Sequence, residues 1–89
     1  MKKNNYWFKS WFDLWFSDKQ SILDTMIRNM TADLEAGYDY FGPSIVKQQC
    51  EIGMYKNKFD TEIEMLKNMK EKEAEKWCYY DLKKRGAIA

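Results

Sequence analysis

The side chains that could do chemistry in this 89-residue chain come in types and spacings that point away from catalysis. There is no histidine, so the commonest general base and metal ligand is missing. Cys50 and Cys78 are the only thiols, and a cysteine nucleophile needs an activating base that neither has in sequence. Glu62 and Glu64 are two residues apart, which on a helix puts them on different faces. The remaining acids recur at the spacing of a solvated helix face and do not converge as metal ligands would. Tyr38-Asp39-Tyr40 sets two phenols and a carboxylate beside a Gly-Pro step, as helix ends commonly do. No glycine-rich phosphate loop is present. The expectation is a non-enzyme with no catalytic residues, no metal site and no cofactor.

The residues that stand out are apolar. Trp7-Phe8, Trp11-Phe12 and Trp15-Phe16 repeat every four residues. Each ring can bury roughly 150–250 Å². All six must be covered by a core, by a partner or by a membrane surface. Their spacing fits a helix over 5–16. On a helical wheel the apolar arc runs from Leu14 through Trp7, Trp11, Trp15, Phe8 and Phe12 to Phe16, roughly 200° wide, and leaves Lys9, Ser10 and Asp13 as the polar strip. One neighbouring helix covers little more than about 100°. The surplus marks Trp7, Phe8, Trp11, Phe12, Trp15 and Phe16 as partner-binding residues. Phe8, Phe12 and Phe16 are expected to face outwards, because the three tryptophans form the tighter inner stripe. A strand would need a partner strand that the chain does not supply.

Two further helices follow from the pattern. Ser17-Asp18-Lys19-Gln20 reads as a capping box, so a second helix is expected over 18–41. Its apolar stripe comprises Leu23, Met26, Ile27, Met30, Leu34, Tyr38 and Phe41, and Gly42-Pro43 ends it. From Ser44 the stripe Ile45, Ile52, Phe59, Ile63, Leu66, Ala74 and Trp77 keeps one phase, which predicts a single helix over 44–85 capped by Gly86. The rival division breaks it near Phe59-Asp60, with Asp60 opening a fourth helix. Lys70 to Lys76 reads as a solvated face of alternating charge. The expected fold is all-α. A short aromatic N-terminal helix and a middle helix pack along a long C-terminal helix as an antiparallel hairpin or three-helix bundle, with Trp77 touching at least one of Trp7, Trp11 and Trp15. Met54, Met65 and Met69 lie opposite the long stripe and form a secondary surface, since methionine adapts to binding partners.

Length and composition bound the rest. Residues 1–89 make one helical domain. Basic and acidic residues number 15 and 14, for a net charge of +1. Residues 1–42 hold five basic and six acidic groups, net −1, and residues 43–89 hold ten and eight, net +2. Neither half has the basic bias of a phosphate binder, so direct nucleic-acid binding is not expected. No apolar run is long enough to span a membrane. Lys9 and Asp13 interrupt the apolar stretch after Met1-Lys2-Lys3, which argues against a signal peptide. The two cysteines are expected to be buried free thiols in a cytoplasmic protein.

Three function classes remain. The first is a non-catalytic helical protein that binds a larger host protein or ribonucleoprotein complex. The frequent Lys, Asn, Ile, Tyr, Phe and Met have AT-rich codons, which suits a phage-encoded inhibitor of a host or defence complex, anti-CRISPR-like in its mode of action. The second is an assembly module that self-associates through the aromatic helix. The third is weak nucleic-acid binding through stacked aromatics.

Overall fold

The computed structural model describes residues 10–89; Trp7 and Phe8 lie outside them. Three helices make up the bundle: α1 (Trp11–Glu35), α2 (Pro43–Lys67) and α3 (Glu71–Lys84). α1 and α2, each 25 residues and so about 37 Å long, form an antiparallel hairpin in which Gln48 meets Asp33 and Glu62 meets Lys19. α3 turns back and runs parallel to the first half of α1, with Tyr79 beside Trp11, Asp81 beside Trp15 and Arg85 beside Asp18. The all-α three-helix architecture is the one expected from the sequence. The divisions between the helices are not.

α1 runs unbroken through Ser17, so the expected 5–16 and 18–41 helices are not separate elements there. The start is set instead at Ser10, whose side chain accepts from the Asp13 N–H. The carboxylate of Glu75 on α3 accepts from the N–H groups of Trp11 and Phe12, at 2.8 and 3.2 Å. These are the donors that a helix start leaves unpaired, and a negative charge suits that end of the helix dipole. Glu75 is therefore a structural clasp rather than part of a solvated face.

The other end of α1 comes earlier than expected, at Glu35. Gly37 takes φ 97°, and the N–H groups of Gly37 and Tyr38 donate to the carbonyls of Leu34 and Asp33. This paired closure needs a left-handed residue, which glycine supplies at no steric cost. Tyr38 and Phe41 thus leave the helical stripe and lie in the loop, while Gly42-Pro43 opens α2 instead of closing α1.

The expected 44–85 helix is broken at residues 68–70, and the chain reverses there. Asn68 ends α2 by donating its side-chain N–H to the Glu64 carbonyl, and Met69 N–H closes onto Leu66. Neither Gly nor Pro is involved. The rival break at Phe59-Asp60 is also absent, since Phe59 is buried in mid-helix. Gly86, with φ 76°, caps α3 as expected.

The core explains the wide aromatic arc. α1 has two neighbours over its first half, not one. Trp11 faces α3, where its ring meets Tyr79 at 4.8 Å, and Phe16 faces α2, where it meets Phe59 at 5.3 Å. Trp15 sits between them, fully buried, in a cluster with Leu23, Phe59, Leu66, Ala74, Cys78 and Leu82. Two contacts of about 100° each account for most of an arc of about 200°, and leave the outer sides of Trp11 and Phe16 exposed. Trp77 does meet Trp15, edge to face at 5.7 Å, but is itself only partly buried. Trp15→Ala should therefore cost about 3–5 kcal/mol, the range for a buried large aromatic, and more than Trp77→Ala. Chemical denaturation of the two variants checks the order; equal losses would show that Trp15 is not the keystone.

Candidate interaction surface

A polar chain runs through the aromatic end and fixes its geometry. Trp15 Nε1 donates to Asp81 Oδ2 at 2.9 Å. Arg85 donates to the same carboxylate through Nε at 2.9 Å and to Asp18 through Nη1 at 2.8 Å, so it ties α3 to α1. One turn along α1, Lys19 is 4% exposed. Its Nζ lies 3.2 Å from Glu62 Oε1, 5.3 Å from the centre of the Tyr55 ring and 5.9 Å from that of Trp15. That oxygen has no hydrogen bond of good geometry, so the attraction is coulombic, reinforced by the ring faces. The Tyr55 hydroxyl is also buried without a partner, and burial pushes its pKa up.

Lysine, glutamate, tyrosine and cysteine close together could suggest a reactive centre. The state of the thiol argues against a reactive cysteine. Burial, followed by the negative charges of Glu75, Asp81 and Glu62, pushes the Cys78 thiol up to about 12. The thiol is protonated at neutral pH and is a poor nucleophile. Cys50, expected to be buried, is exposed, and both cysteines are free. No group of three or more acids and cysteines among the described residues is arranged to hold a metal ion. No helix among them is long and apolar enough to cross a membrane.

The expected partner-binding residues are spread from core to surface. Trp15 is inside, Phe12 is partly buried against the core, and Trp11 and Phe16 are 41% and 38% exposed on opposite flanks. Among the described residues the tryptophans are thus not an inner stripe with the phenylalanines outside; each of the two pairs keeps one ring at the surface, Trp11 on one flank and Phe16 on the other. Trp11, Tyr79 and Tyr80 border a shallow notch with Glu75 and Lys76, and Tyr80 is mostly exposed. Met54 and Met65 share the outer side of α2, with Met54 72% exposed. Met69 leaves that side, because the break at 68–70 turns it onto the core.

A second aromatic group lies at the far end of the hairpin. Tyr38, Tyr40 and Phe41 are all exposed, and the rings of Tyr40 and Phe41 pack edge to face at 5.1 Å. The legible signal was the Tyr-Asp-Tyr run beside Gly-Pro. Tyr38 and Phe41 fit the phase of the stripe on the preceding helix, so periodicity alone does not reveal their exposure. No protein family, curated protein or solved structure matches the chain.

Two measurements test the polar chain. Burial pushes the Asp81 carboxyl up, but hydrogen bonds from Arg85 and Trp15 outweigh this and hold its pKa below the ordinary value. Its stabilisation is therefore complete above the unfolded carboxylate value, about pH 4, and is lost as the pH falls through the lower folded value. Asp81→Asn should lower Tm at neutral pH and flatten the acid limb of a Tm–pH curve; curves that stay parallel would show that Asp81 carries no such linkage. Lys19→Met alone should cost about 3 kcal/mol, because it strands Glu62, and Lys19→Met with Glu62→Leu should recover most of that loss. Additive losses in the double-mutant cycle would rule out the coupling.

Proposed function

We propose that the protein is a small non-catalytic helical binding protein that occupies a surface of a larger host protein or ribonucleoprotein complex. Its specific use on this reading is inhibition of a host or defence complex, in the manner of phage-encoded anti-CRISPR proteins. The binding role is supported by the aromatic surface left over at the first half of α1. Trp15 closes the core there, yet Trp11, Phe16 and Tyr80 keep large ring surfaces in water. Exposed aromatic groups of this kind mark interaction sites, and Trp and Tyr are the commonest hot-spot residues. The inhibitory role is supported by short length and composition alone. Self-association through the same aromatic end is the competing use, and a solution mass measurement separates the two.

Trp11→Ser and Phe16→Ser should each cost less stability than Trp15→Ala, while weakening association with a partner or a second copy by about 2 kcal/mol or more. Denaturation and calorimetric binding on the same variants provide the comparison. Variants that unfold the monomer would assign these rings to the core. Variants that leave association untouched would remove this end of the bundle as the binding surface.

A further inference from the structure

We propose that the loop joining α1 to α2 is a second docking surface, and that its partner is a cationic protein surface presenting arginine and lysine side chains. The proposal rests on the reading of the chain as a binding protein and adds a place and a chemistry to it.

The loop is built to hold exposed rings still. Its start is fixed by the paired closure at Gly37 and Tyr38. Asp39 then organises the turn: its Oδ1 accepts from the Phe41 N–H at 3.1 Å, and its carbonyl accepts from the Gly42 N–H at 2.9 Å. A Cβ at position 42 would stand 3.2 Å from both the Cβ and the carbonyl oxygen of Asp39, so the close turn suits glycine. Pro43 follows in the first turn of α2. Phe41 is nevertheless 82% exposed, the most exposed of the large hydrophobic residues described, with Tyr38 and Tyr40 beside it in the chain. A backbone already fixed in its turn has less freedom left to lose on binding, which lowers the entropic cost of docking.

Charge selects the partner. Residues 29–46 contain Asp33, Glu35 and Asp39 and no lysine or arginine; Arg28 and Lys47 flank them and Gln48 engages Asp33, so the carboxylates nearest the rings are Glu35 and Asp39. Those carboxylates repel phosphate, which disfavours nucleic acid and anionic lipid at this end. They favour guanidinium and ammonium groups, which also stack on the faces of tyrosine and phenylalanine rings.

A titration of the isotope-labelled full chain with a short Arg-Gly repeat peptide, followed by amide NMR, tests this. The expected result is chemical-shift change confined to residues 38–42 that weakens with added salt. It should disappear in Tyr40→Ser with Phe41→Ser. In Glu35→Gln with Asp39→Asn, which removes two charges but keeps the Asp39 acceptor position, affinity should fall by about fivefold. A Glu-Gly peptide and an RNA oligonucleotide should leave these amides unmoved. Absence of shifts at the loop, shifts centred on α3, persistence in the aromatic variant, or equal response to the acidic peptide or RNA would each overturn the proposal. Loss of partner association in Trp11→Ser with an unresponsive loop would sink the loop alone and spare the binding role. A responsive loop with no role for Trp11 or Phe16 would do the reverse.

Discussion

One indole ring sets the arrangement of all three helices. Trp15 is the point at which α1 presents a face to both neighbours at once: its edge meets Phe59 of α2 and Trp77 of α3, and its N–H is claimed by Asp81. A residue that is wholly buried and also hydrogen-bonded across helices allows only one rotation of α1 between its neighbours. Leu or Phe at this position would fill space without fixing that angle. The flanking contacts, Trp11 on Tyr79 and Phe16 on Phe59, follow from that angle, because they lie one turn back and one residue on.

Charged groups do for the helix ends and the domain's mid-line what the rings do for its interior. Glu75 holds the start of α1, Arg85 links the end of α3 to Asp18, and Lys19 with Glu62 crosses the hairpin. A buried ion pair of this kind contributes little net stability compared with an apolar pair of equal volume. Its effect here is on register. Sliding α2 by one turn along α1 would bury Lys19 without its acid, and sliding α3 would leave the first N–H groups of α1 unpaired. Small bundles with uniformly greasy cores lack such penalties and tolerate several packings. This chain has a penalty at each of its two helix–helix contacts.

The fold class was legible because amphipathic periodicity is a property of the sequence itself. The positions of the breaks were only partly so. Gly86 and Gly37 are comparable left-handed caps, yet only Gly86 was identified, because Gly42-Pro43 offered a stronger stop a few residues beyond Gly37. The reversal at 68–70 uses no special residue and no positive φ. The phase of the stripe survives it because α2 and α3 both face α1. Ser17 reads as a cap in isolation, but α1 begins where a carboxylate from α3 reaches it, a tertiary contact invisible to local pattern. The surface was legible in outline. The width of the aromatic arc is a property of the sequence, but the second neighbour that absorbs most of it is not, because α3 returns to α1 only through the break at 68–70.

The bundle is three helices thick only where α3 lies. Beyond Lys19 and Glu62, α1 and α2 continue as a bare pair, with Leu23, Phe59 and Ile45 their buried apolar residues and Ile45 outside the main cluster. Opening free energy tracks local apolar burial. The molecule is therefore graded in rigidity along its length. Local opening of the distal pair is expected to cost less free energy than opening around Trp15. That gradient gives the chain a mechanical asymmetry: a firmly braced base carrying a less braced arm, so that local opening of the distal pair need not disturb the packing around Trp15.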